Sequence, residues 1–458
     1  MKVMKRFGAF GLAAVLAVSL TACGGAKSSG SVKGQQTVSD IPKFNNLKVG
    51  EDYTDIKADL KFITHKTDAV DTTFKDYIKQ FQKMYPNVTI TYEGVTNYAD
   101  DMITRLTTGD WGDICMIPVQ VDKDELENYF LCLGDKPELE KKYIMLNNFS
   151  FKNKVYGMPS DGNAQGIVYN KKVFEEAGIT ELPKTPDEFL DALLKIKENT
   201  DAIPLYTNFA AGWTMTAWDS YITGSATGNP DYVNEILVHQ KNPFAKQKDM
   251  TGPYAVYYTL YEAVKRGLIE DDPTTTDWEG SKGIMNNGKI GTMVLGSWAV
   301  TQMQAAGDHP DDIGYMAFPI TVNGKQYATA GPDYNYGINI NSSADNQIAS
   351  MLYVKWLTED SNFAYDEGCI PICVDSKYPD IYKTFDHVEL VIDNPAPEGE
   401  ESLYNDINND SEVGINTSPD GPSKILEAAV AGSPSLDEIM DDWNKRWMAS
   451  QKKYGAIQ

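Results

Sequence analysis

The first part of the chain alternates short apolar runs with helical patterns, and this alternation restricts the fold to the α/β class. Residues 60–63 are predicted to form a strand, 114–117 are a short apolar run typical of a buried strand, and 88–92 alternate as a strand should. Apolar side chains at helical spacing predict helices over 70–84 and 98–106. The order β-α-β-α-β predicts parallel strands joined by helical crossovers.

A second α/β region begins with a predicted strand at 166–170. Thr185, Pro186 and Glu188 form a helix start in which Thr185 caps the helix and Glu188 can complete a capping box. Further patterns predict helices at 254–266, around Ile348 to Trp356 and from Ser435 onward, and strands at 290–295 and 334–340. Because residues 44–458 exceed the usual size of one hydrophobic core, we expect two lobes.

The amino terminus has the pattern of an export signal. Lys2, Lys5 and Arg6 precede an uncharged apolar stretch over 7–22, which is shorter than a membrane span. The sequence Leu-Thr-Ala-Cys ending at Cys23 resembles the bacterial lipobox, so we expect 1–22 to be a signal peptide and Cys23 to be acylated. An ordinary signal peptide with an incidental Cys23 is the alternative. Residues 23–43 would form a lipidated start and flexible tether, since they are rich in Gly, Ser and Gln.

The net charge limits the possible partners. The chain carries −24, and loss of the three cations in the signal would leave −27. So acidic a surface repels phosphate backbones, which argues against nucleic-acid binding. It also indicates that a lipid, rather than a basic patch, holds the protein at the membrane.

The cysteine and histidine pattern favours free thiols over disulfides and argues against a zinc site. Cys369 and Cys373 are too close in sequence to constrain much unfolded chain, and Cys115 lies in a predicted buried strand. Cys132 is the remaining cysteine after Cys23. The four histidines are scattered without ligand spacing.

Two sequence patterns imitate ligand-binding loops. Residues 283–289 match a phosphate loop until Ile290, which stands where a Ser or Thr must hold magnesium, and they follow a helix rather than a strand. Asp406, Asn408 and Asp410 have the oxygen spacing of a calcium loop. However, Ser411 replaces the turn glycine and the bidentate Glu is missing, so a solvated acidic loop is the alternative.

Catalytic motifs are not recognisable in the sequence. There is no Gly-x-Ser-x-Gly elbow, no His-Glu-x-x-His and no Cys/His pair in a recognisable setting. A glycosidase would need two carboxylates at a defined separation, which a sequence does not reveal.

The aromatic residues fall into two groups. Trp356, Trp443 and Trp447 lie on apolar helical stripes and are predicted to be core. Trp213, Trp298 and Tyr334 stand instead at predicted loop–strand junctions beside small residues, which favours a concave ligand site. Rings that seal a core between the lobes are the alternative for each of these three.

Several segments follow one another in an order that is characteristic of a known family. They are FQKMYPNVTI (81–90), GDWGDI (109–114), GMP (157–159), VYNKKVFEEAG (168–178), PKTPDEF (183–189), GKIGTM and GSW (288–298) and GCIP (368–371). Through these segments the chain resembles the extracellular solute-binding proteins of ABC importers, in the carbohydrate-type group related to maltose-binding protein. The resemblance extends from about Asp59 to Trp447.

The resemblance implies an α/β, two-lobed fold of the type II periplasmic-binding-protein class, with the ligand in a cleft between the lobes. Three hinge crossings are expected near 163–167, 318–320 and 369–371. The first lobe would be 44–163 with 320–369, and the second lobe 164–319 with 370–458. Binding of ligand by hinge closure is the mechanism that this fold implies.

The resemblance also implies positions for ligand contacts. Trp298 matches an aromatic residue that stacks on a sugar ring, and Trp213 falls where a second aromatic platform is common. The polar positions expected to face the cleft are Asp68, Gln120, Asp161, Asn163 and Asp333, together with Tyr334. Gly112-Asp113 replaces a usual Pro-Asp, and 398–412 is longer than usual, so ligand identity does not transfer.

The main hypothesis from the sequence is non-catalytic capture of a carbohydrate, as an oligosaccharide, for delivery to an ABC permease. The protein would act as a monomer without a cofactor, anchored to the outer face of the cytoplasmic membrane. The alternatives are a secreted carbohydrate-active enzyme, and a binding protein for a peptide, polyamine or other polar solute.

Overall fold

The computed structural model describes residues 41–458, with the exception of Asp68, Asp386 and the side chain of Thr384. The predicted signal peptide, the acylation of Cys23 and the ligand contact of Asp68 therefore lie outside the described residues. Residues 41–458 form one compact unit. In the described part of the chain, no helix has the length and apolar character needed to cross a membrane.

The elements alternate along the chain as the α/β prediction requires. The strands are β1 (Ala58–Thr64), β2 (Val88–Gly94), β3 (Ile114–Ile117), β4 (Gly134–Asp135), β5 (Ser150–Phe151), β6 (Lys154–Val155), β7 (Gly157–Pro159), β8 (Gly162–Asn170), β9 (Ile203–Leu205), β10 (Ile290–Gly296), β11 (Ile313–Ala317), β12 (Thr321–Val322), β13 (Lys325–Pro332), β14 (Asn335–Ile338) and β15 (Val388–Ile392). The α-helices are α1 (Thr73–Phe81), α2 (Tyr98–Thr108), α3 (Leu126–Tyr129), α4 (Lys136–Leu139), α5 (Lys171–Glu176), α6 (Pro186–Asn199), α7 (Trp213–Ala217), α8 (Gly224–Thr227), α9 (Gly252–Lys265), α10 (Trp278–Asn286), α11 (Trp298–Ala305), α12 (Ala344–Glu359), α13 (Phe363–Asp366), α14 (Leu403–Ser411), α15 (Asp420–Ala431) and α16 (Leu436–Lys453).

Local sequence signals set several of these helix ends. Helix α2 ends at Gly109, whose φ of 77° is the left-handed conformation that glycine adopts without a Cβ clash. Thr185 caps α6 by accepting a hydrogen bond from the Glu188 main-chain N–H. Ser435 and Glu438 form a complete capping box at the start of α16.

The first sheet has the strand order β2-β1-β3-β14-β7. Strand β1 pairs in parallel with both β2 and β3, which confirms the predicted crossovers. Strands β14 and β7 add to the sheet in antiparallel orientation. A core of buried apolar side chains from 44–158 and 336–372 packs against this sheet.

The second sheet has the strand order β12-β13-β8-β10-β9, with β11 also paired to β8 and β15 to β13. Strand β13 belongs to this sheet through antiparallel pairs with β8, such as Ala330 with Ala164. The predicted first lobe, by contrast, includes the residues of β13. We therefore propose that the second crossing lies at 333–334, between β13 in one sheet and β14 in the other, rather than near 318–320.

The acidic stretch over 398–412 is a helix in its second half rather than the predicted loop. Ile407 and Asn408 are buried, and the Asn408 amide exchanges two hydrogen bonds with the main chain of Ile415, both of 2.9 Å. Asp410 accepts a hydrogen bond of 2.7 Å from Ser450. Asp406, Asn408 and Asp410 thus lie on α14 instead of the sharp turn that a calcium loop requires.

The predicted core tryptophans are buried as expected. Trp356 and Trp443 are each 4 % exposed and Trp447 is fully buried.

The four cysteines after Cys23 are free thiols, namely Cys115, Cys132, Cys369 and Cys373.

Candidate functional site

Three tryptophan rings from distant parts of the chain meet at the end of the second sheet. We call Trp213, Trp278 and Trp298 the tryptophan cluster. The ring centroids are 5.1 Å apart for Trp213 and Trp278, 5.6 Å for Trp213 and Trp298, and 5.7 Å for Trp278 and Trp298. Trp213 is 41 % exposed and the other two rings are half-buried. The cluster therefore presents aromatic faces to solvent.

Each ring of the tryptophan cluster belongs to the first residue of a helix, namely α7, α10 or α11. Gly212, at φ 70°, turns the chain immediately before Trp213. The Asp277 side chain caps α10 by accepting from the Glu279 main-chain N–H. Trp298 comes two residues after β10 ends, so the sheet itself places this ring.

Buried polar contacts hold the loop that carries Trp213. The Glu270 carboxylate is 6 % exposed and accepts hydrogen bonds from the Thr207 main-chain N–H at 2.9 and 3.2 Å and from the Thr207 hydroxyl. The Thr276 hydroxyl accepts from the Ala210 main-chain N–H at 2.9 Å. The loops before Trp213 and Trp278 are thereby joined to each other, which fixes the relative position of the two rings.

A second group of side chains lies where the first sheet meets the second. We call His65, Lys66, Asp161, Asp333 and Glu367 the charged cluster. The Lys66 ammonium lies 3.4 Å from a Glu367 oxygen, and its side chain is 12 % exposed. The His65 ring lies 3.8 Å from the Asp333 carboxylate. The Asp333 main-chain N–H donates to the carbonyl of the fully buried Asp161 at 2.9 Å.

Burial and mutual charge perturb the ionisation of the charged cluster. Burial and, to a smaller extent, the negative charge of Asp333 raise the pKa of Asp161, and the positive charge of Lys66 opposes them; the resulting pKa is about 7. Burial lowers the pKa of Lys66, but Asp161, Glu367 and Asp333 outweigh this effect, so the pKa lies above its ordinary value. Lys66 therefore stays an ammonium ion that balances the carboxylates of the charged cluster, of which Asp161 is fully buried.

Tyr334 belongs to an aromatic group beside the charged cluster. Its ring centroid lies 4.5 Å from that of His65 and 5.5 Å from that of Tyr98. Burial raises the pKa of Tyr334 to about 12, so the phenol remains a hydrogen-bond donor at neutral pH.

Asn163 connects the two clusters. Its Oδ1 accepts hydrogen bonds from Ser297 Oγ at 3.2 Å and from the Cys369 thiol at 3.4 Å, and its amide N–H lies 3.4 Å from Asp161 Oδ1. Ser297 directly precedes Trp298 and also bonds the Tyr382 hydroxyl at 2.7 Å. A continuous chain of polar contacts thus runs from Asp161 to the base of the tryptophan cluster.

The structure brings together most of the predicted site residues. Trp213 and Trp298 share the tryptophan cluster, and the other predicted positions near one another are Asp161, Asn163, Asp333 and Tyr334. Gln120 is exposed in the turn after β3. Whether any of these residues contacts ligand stays a prediction.

Sequence reasoning did not single out Trp278, Lys66 or Glu367. Trp278 is the first residue of a helix, as Trp213 and Trp298 also are, and this shared position was a usable signal. Lys66 and Glu367 are 301 residues apart, so no local pattern could have joined them. In the described part of the chain, no group of three His, Cys, Asp or Glu side chains could hold a metal ion.

The arrangement suits a ligand with flat apolar faces and many hydroxyl groups. Partly exposed indole rings can stack on such faces, and carboxylate and amide groups can accept or donate hydrogen bonds at the rim. Rings of a saccharide have both properties.

The chain belongs to the family of bacterial extracellular solute-binding proteins, which matches residues 66–362. The family and its extracellular role agree with the two-sheet α/β fold described above. This places the protein outside the cytoplasm, among proteins that bind solutes.

Solved structures from Bifidobacterium animalis subsp. lactis are similar over nearly the whole chain. A manno-oligosaccharide specific solute-binding protein in complex with mannotriose is 49 % identical, with a TM-score of 0.88, over 90 % of this chain and 99 % of that chain. The binding protein of an ABC transporter in complex with mannobiose is 51 % identical, with a TM-score of 0.88, over 92 % of this chain and 100 % of that chain. These neighbours confirm the predicted type II fold.

A more distant relative is the multiple sugar-binding protein of Streptococcus mutans. It is 26 % identical over 368 residues, which are 78 % of this chain and 79 % of that protein.

Proposed function

We propose that the protein captures an oligosaccharide of the manno-oligosaccharide class and delivers it to an ABC permease. The observation that carries this proposal is the tryptophan cluster, three partly exposed rings beside a chain of polar groups, in a protein about half identical to manno-oligosaccharide binders. Stacking gives affinity for the faces of sugar rings, and the polar groups select the positions of hydroxyls.

Capture would proceed by closure of the two lobes about the crossings between the sheets. Asp161 and Asp333 lie at the segments that connect β7 to β8 and β13 to β14, so they sit at the hinge. Contacts to ligand from both sides exist only in the closed state, so ligand favours closure by that difference in affinity. The permease would then recognise the closed, loaded form.

We also propose that Cys23 carries a lipid that anchors the protein to the outer face of the membrane. The tether over 23–43 would keep the receptor close to its permease and raise the effective concentration there. Labelled palmitate should be incorporated by the wild type and lost in Cys23→Ala. Unchanged membrane association of Cys23→Ala would contradict the anchor.

The central experiment is calorimetry of the purified mature protein against a panel of solutes. The panel contains mannobiose, mannotriose, maltotriose, a tripeptide and spermidine. We expect heat with the two mannosides and markedly weaker heat with maltotriose. Heat only with the peptide or the polyamine would overturn the proposal.

The same samples separate binding from hydrolysis. After prolonged incubation with mannotriose, chromatography should recover the intact trisaccharide. Release of mannose or mannobiose at a rate proportional to protein concentration would favour the carbohydrate-active enzyme instead.

A further inference from the structure

One edge of the second sheet carries a row of three positions that face the same way. Asn163 on β8 pairs with Gly331 on β13, and the β13–β15 register ends with Ala330 beside Ile392. Gly331 and Asp393 are the next residues of these two segments. Directly paired residues of neighbouring strands point to the same face of a sheet. We call Asn163, Gly331 and Asp393 the edge row.

The opposite face at this level is filled. Ala164, Ala330 and Ile392 alternate with the edge row and pack into a hydrophobic cluster. The edge row therefore points away from that core, which is why polar residues and a glycine can occupy it.

The space above the middle of the edge row is open. A Cβ atom built on Gly331 would meet no heavy atom within 4 Å. One pair earlier the same face is covered, since Gly224 of α8 lies against Val391 and Ser225 donates its main-chain N–H to Thr329 at 2.8 Å. The cover thus stops at the level where the edge row begins.

Asp393, at the end of the edge row, has a carboxylate oxygen that accepts no hydrogen bond from the described residues. Its Oδ1 is buried and has no hydrogen-bond partner among the described residues, and burial raises the pKa of this carboxyl to about 7. Its main-chain carbonyl accepts from the Asn147 amide at 3.0 Å, so the segment is held in place independently of the carboxylate. A buried acceptor without a donor is costly, and a bound ligand can supply the donor.

The dimensions fit an extended ligand. Two inter-strand spacings separate β8 from β15, so the edge row is about 10 Å long. At its other end Asn163 bonds Ser297, next to Trp298 of the tryptophan cluster. The edge row thus runs from a residue that contacts the base of the tryptophan cluster to Asp393, with open space above Gly331 between them. This length is greater than that of a single sugar ring.

We propose that Asp393 is a further ligand-contacting residue, whose carboxylate accepts hydrogen bonds from hydroxyl groups of the outermost ring of a bound oligosaccharide. This inference rests on the proposed function and adds the position that selects for chain length. Gly331 also favours binding of the longer ligand, because the absence of a side chain there leaves room for it.

The first test compares Asp393→Asn with the wild type by calorimetry. Loss of a charged acceptor should lower the affinity for mannotriose by roughly ten- to one-hundredfold. The affinity for mannobiose should fall by less, because only the longer ligand reaches Asp393. Glu389→Gln is the matched control, since Glu389 lies on β15, the strand that directly precedes Asp393, with a side chain that is 59 % exposed. The control should bind both sugars as the wild type does.

The second test uses Gly331→Ala, which removes no protein contact and adds a methyl group to open space. Its thermal unfolding should match that of the wild type, whereas its affinity for mannotriose should fall. This variant distinguishes a blocked path from a folding defect.

Unchanged mannotriose affinity in both Asp393→Asn and Gly331→Ala would overturn the inference, and so would an equal loss for both sugars in Asp393→Asn. If the wild type binds neither mannoside, the proposed function itself fails, and this result is visible before any variant is made.

Discussion

In the tryptophan cluster apolar rings remain partly exposed, whereas in the charged cluster two oppositely charged groups, Asp161 and Lys66, are largely removed from water. Trp213 is 41 % exposed, while Asp161 is fully buried and the Lys66 side chain is 12 % exposed. Exposed aromatic rings contribute little to folding and are available to a ligand. Buried charges must be balanced by one another, so their removal disturbs the fold. The two clusters should therefore respond differently to substitution.

The largest effect on stability is expected from Lys66→Met, which removes the cation from the charged cluster. Asp161 and Glu367 would lose their balancing charge, so the free energy of unfolding should fall by about 3–5 kcal/mol. Urea denaturation measures the change. Lys325→Met, which breaks the exposed pair with Glu389, is the control and should cost about 1 kcal/mol or less. Equal losses would show that Lys66 is not a buried balancing charge.

A second test uses pH. Because the pKa of Asp161 is raised from 3.8 to about 7 by burial, the folded state binds this proton more tightly than the unfolded state. The stabilisation that comes from the protonated Asp161 carboxyl is thus fully present below about pH 4 and is lost as the pH rises through about 7. Asp161→Asn cannot ionise, so its stability relative to the wild type should increase over this range by about 2–4 kcal/mol, at about 1.4 kcal/mol per pKa unit.

Thermal unfolding at pH 4 to 8 measures that difference. Asp380→Asn is the control, because a hydrogen bond from Lys383 lowers the pKa of the exposed Asp380, whereas burial raises the pKa of Asp161. The control difference should be flat over the range. A flat difference for Asp161→Asn as well would remove Asp161 from the set of buried titrating groups.

The tryptophan cluster should show the opposite behaviour. Trp298→Ala should weaken oligosaccharide binding by about 1–3 kcal/mol, the usual scale for an aromatic anchor, with a smaller change in stability. Calorimetry gives the affinity and thermal unfolding the stability. Tyr454→Ala is the control, because it removes a ring that is 39 % exposed and lies outside the cluster, and it should leave binding unchanged. A stability loss without a binding loss would assign Trp298 to the core.

The smallest effect is expected from Glu270→Gln, which should lower both the stability of the protein and its affinity for ligand. The Gln side chain keeps an acceptor for the Thr207 N–H but loses one for the Thr207 hydroxyl, so stability should fall by about 1 kcal/mol. Because this loop carries Trp213, affinity should fall too, though less than in Trp298→Ala. Denaturation and calorimetry of the same preparation test both. Unchanged affinity would show that the Trp213 loop is held without Glu270.

Much of the local structure could be predicted because its signals are local. Gly109 ends α2, and Ser435 with Glu438 starts α16, through contacts that span only a few residues. Trp298 could be identified as a site candidate from its place after a strand and beside small residues. The helix α14 was missed because its polar sequence has few apolar positions, and contacts to distant residues stabilise it, among them the packing of Ile407, the Asn408 contacts to Ile415 and the Ser450 hydrogen bond to Asp410.

The sequence by itself determined the α/β alternation, the helix boundaries at capping residues and the family to which the chain belongs. Only the tertiary structure decided that β13 pairs in the second sheet, that Trp278 joins Trp213 and Trp298, and that Lys66 meets Glu367. The physical reason is the range of the interactions. Caps and apolar periodicity act between neighbours along the chain, whereas strand pairing and charge balance join residues that folding alone brings together.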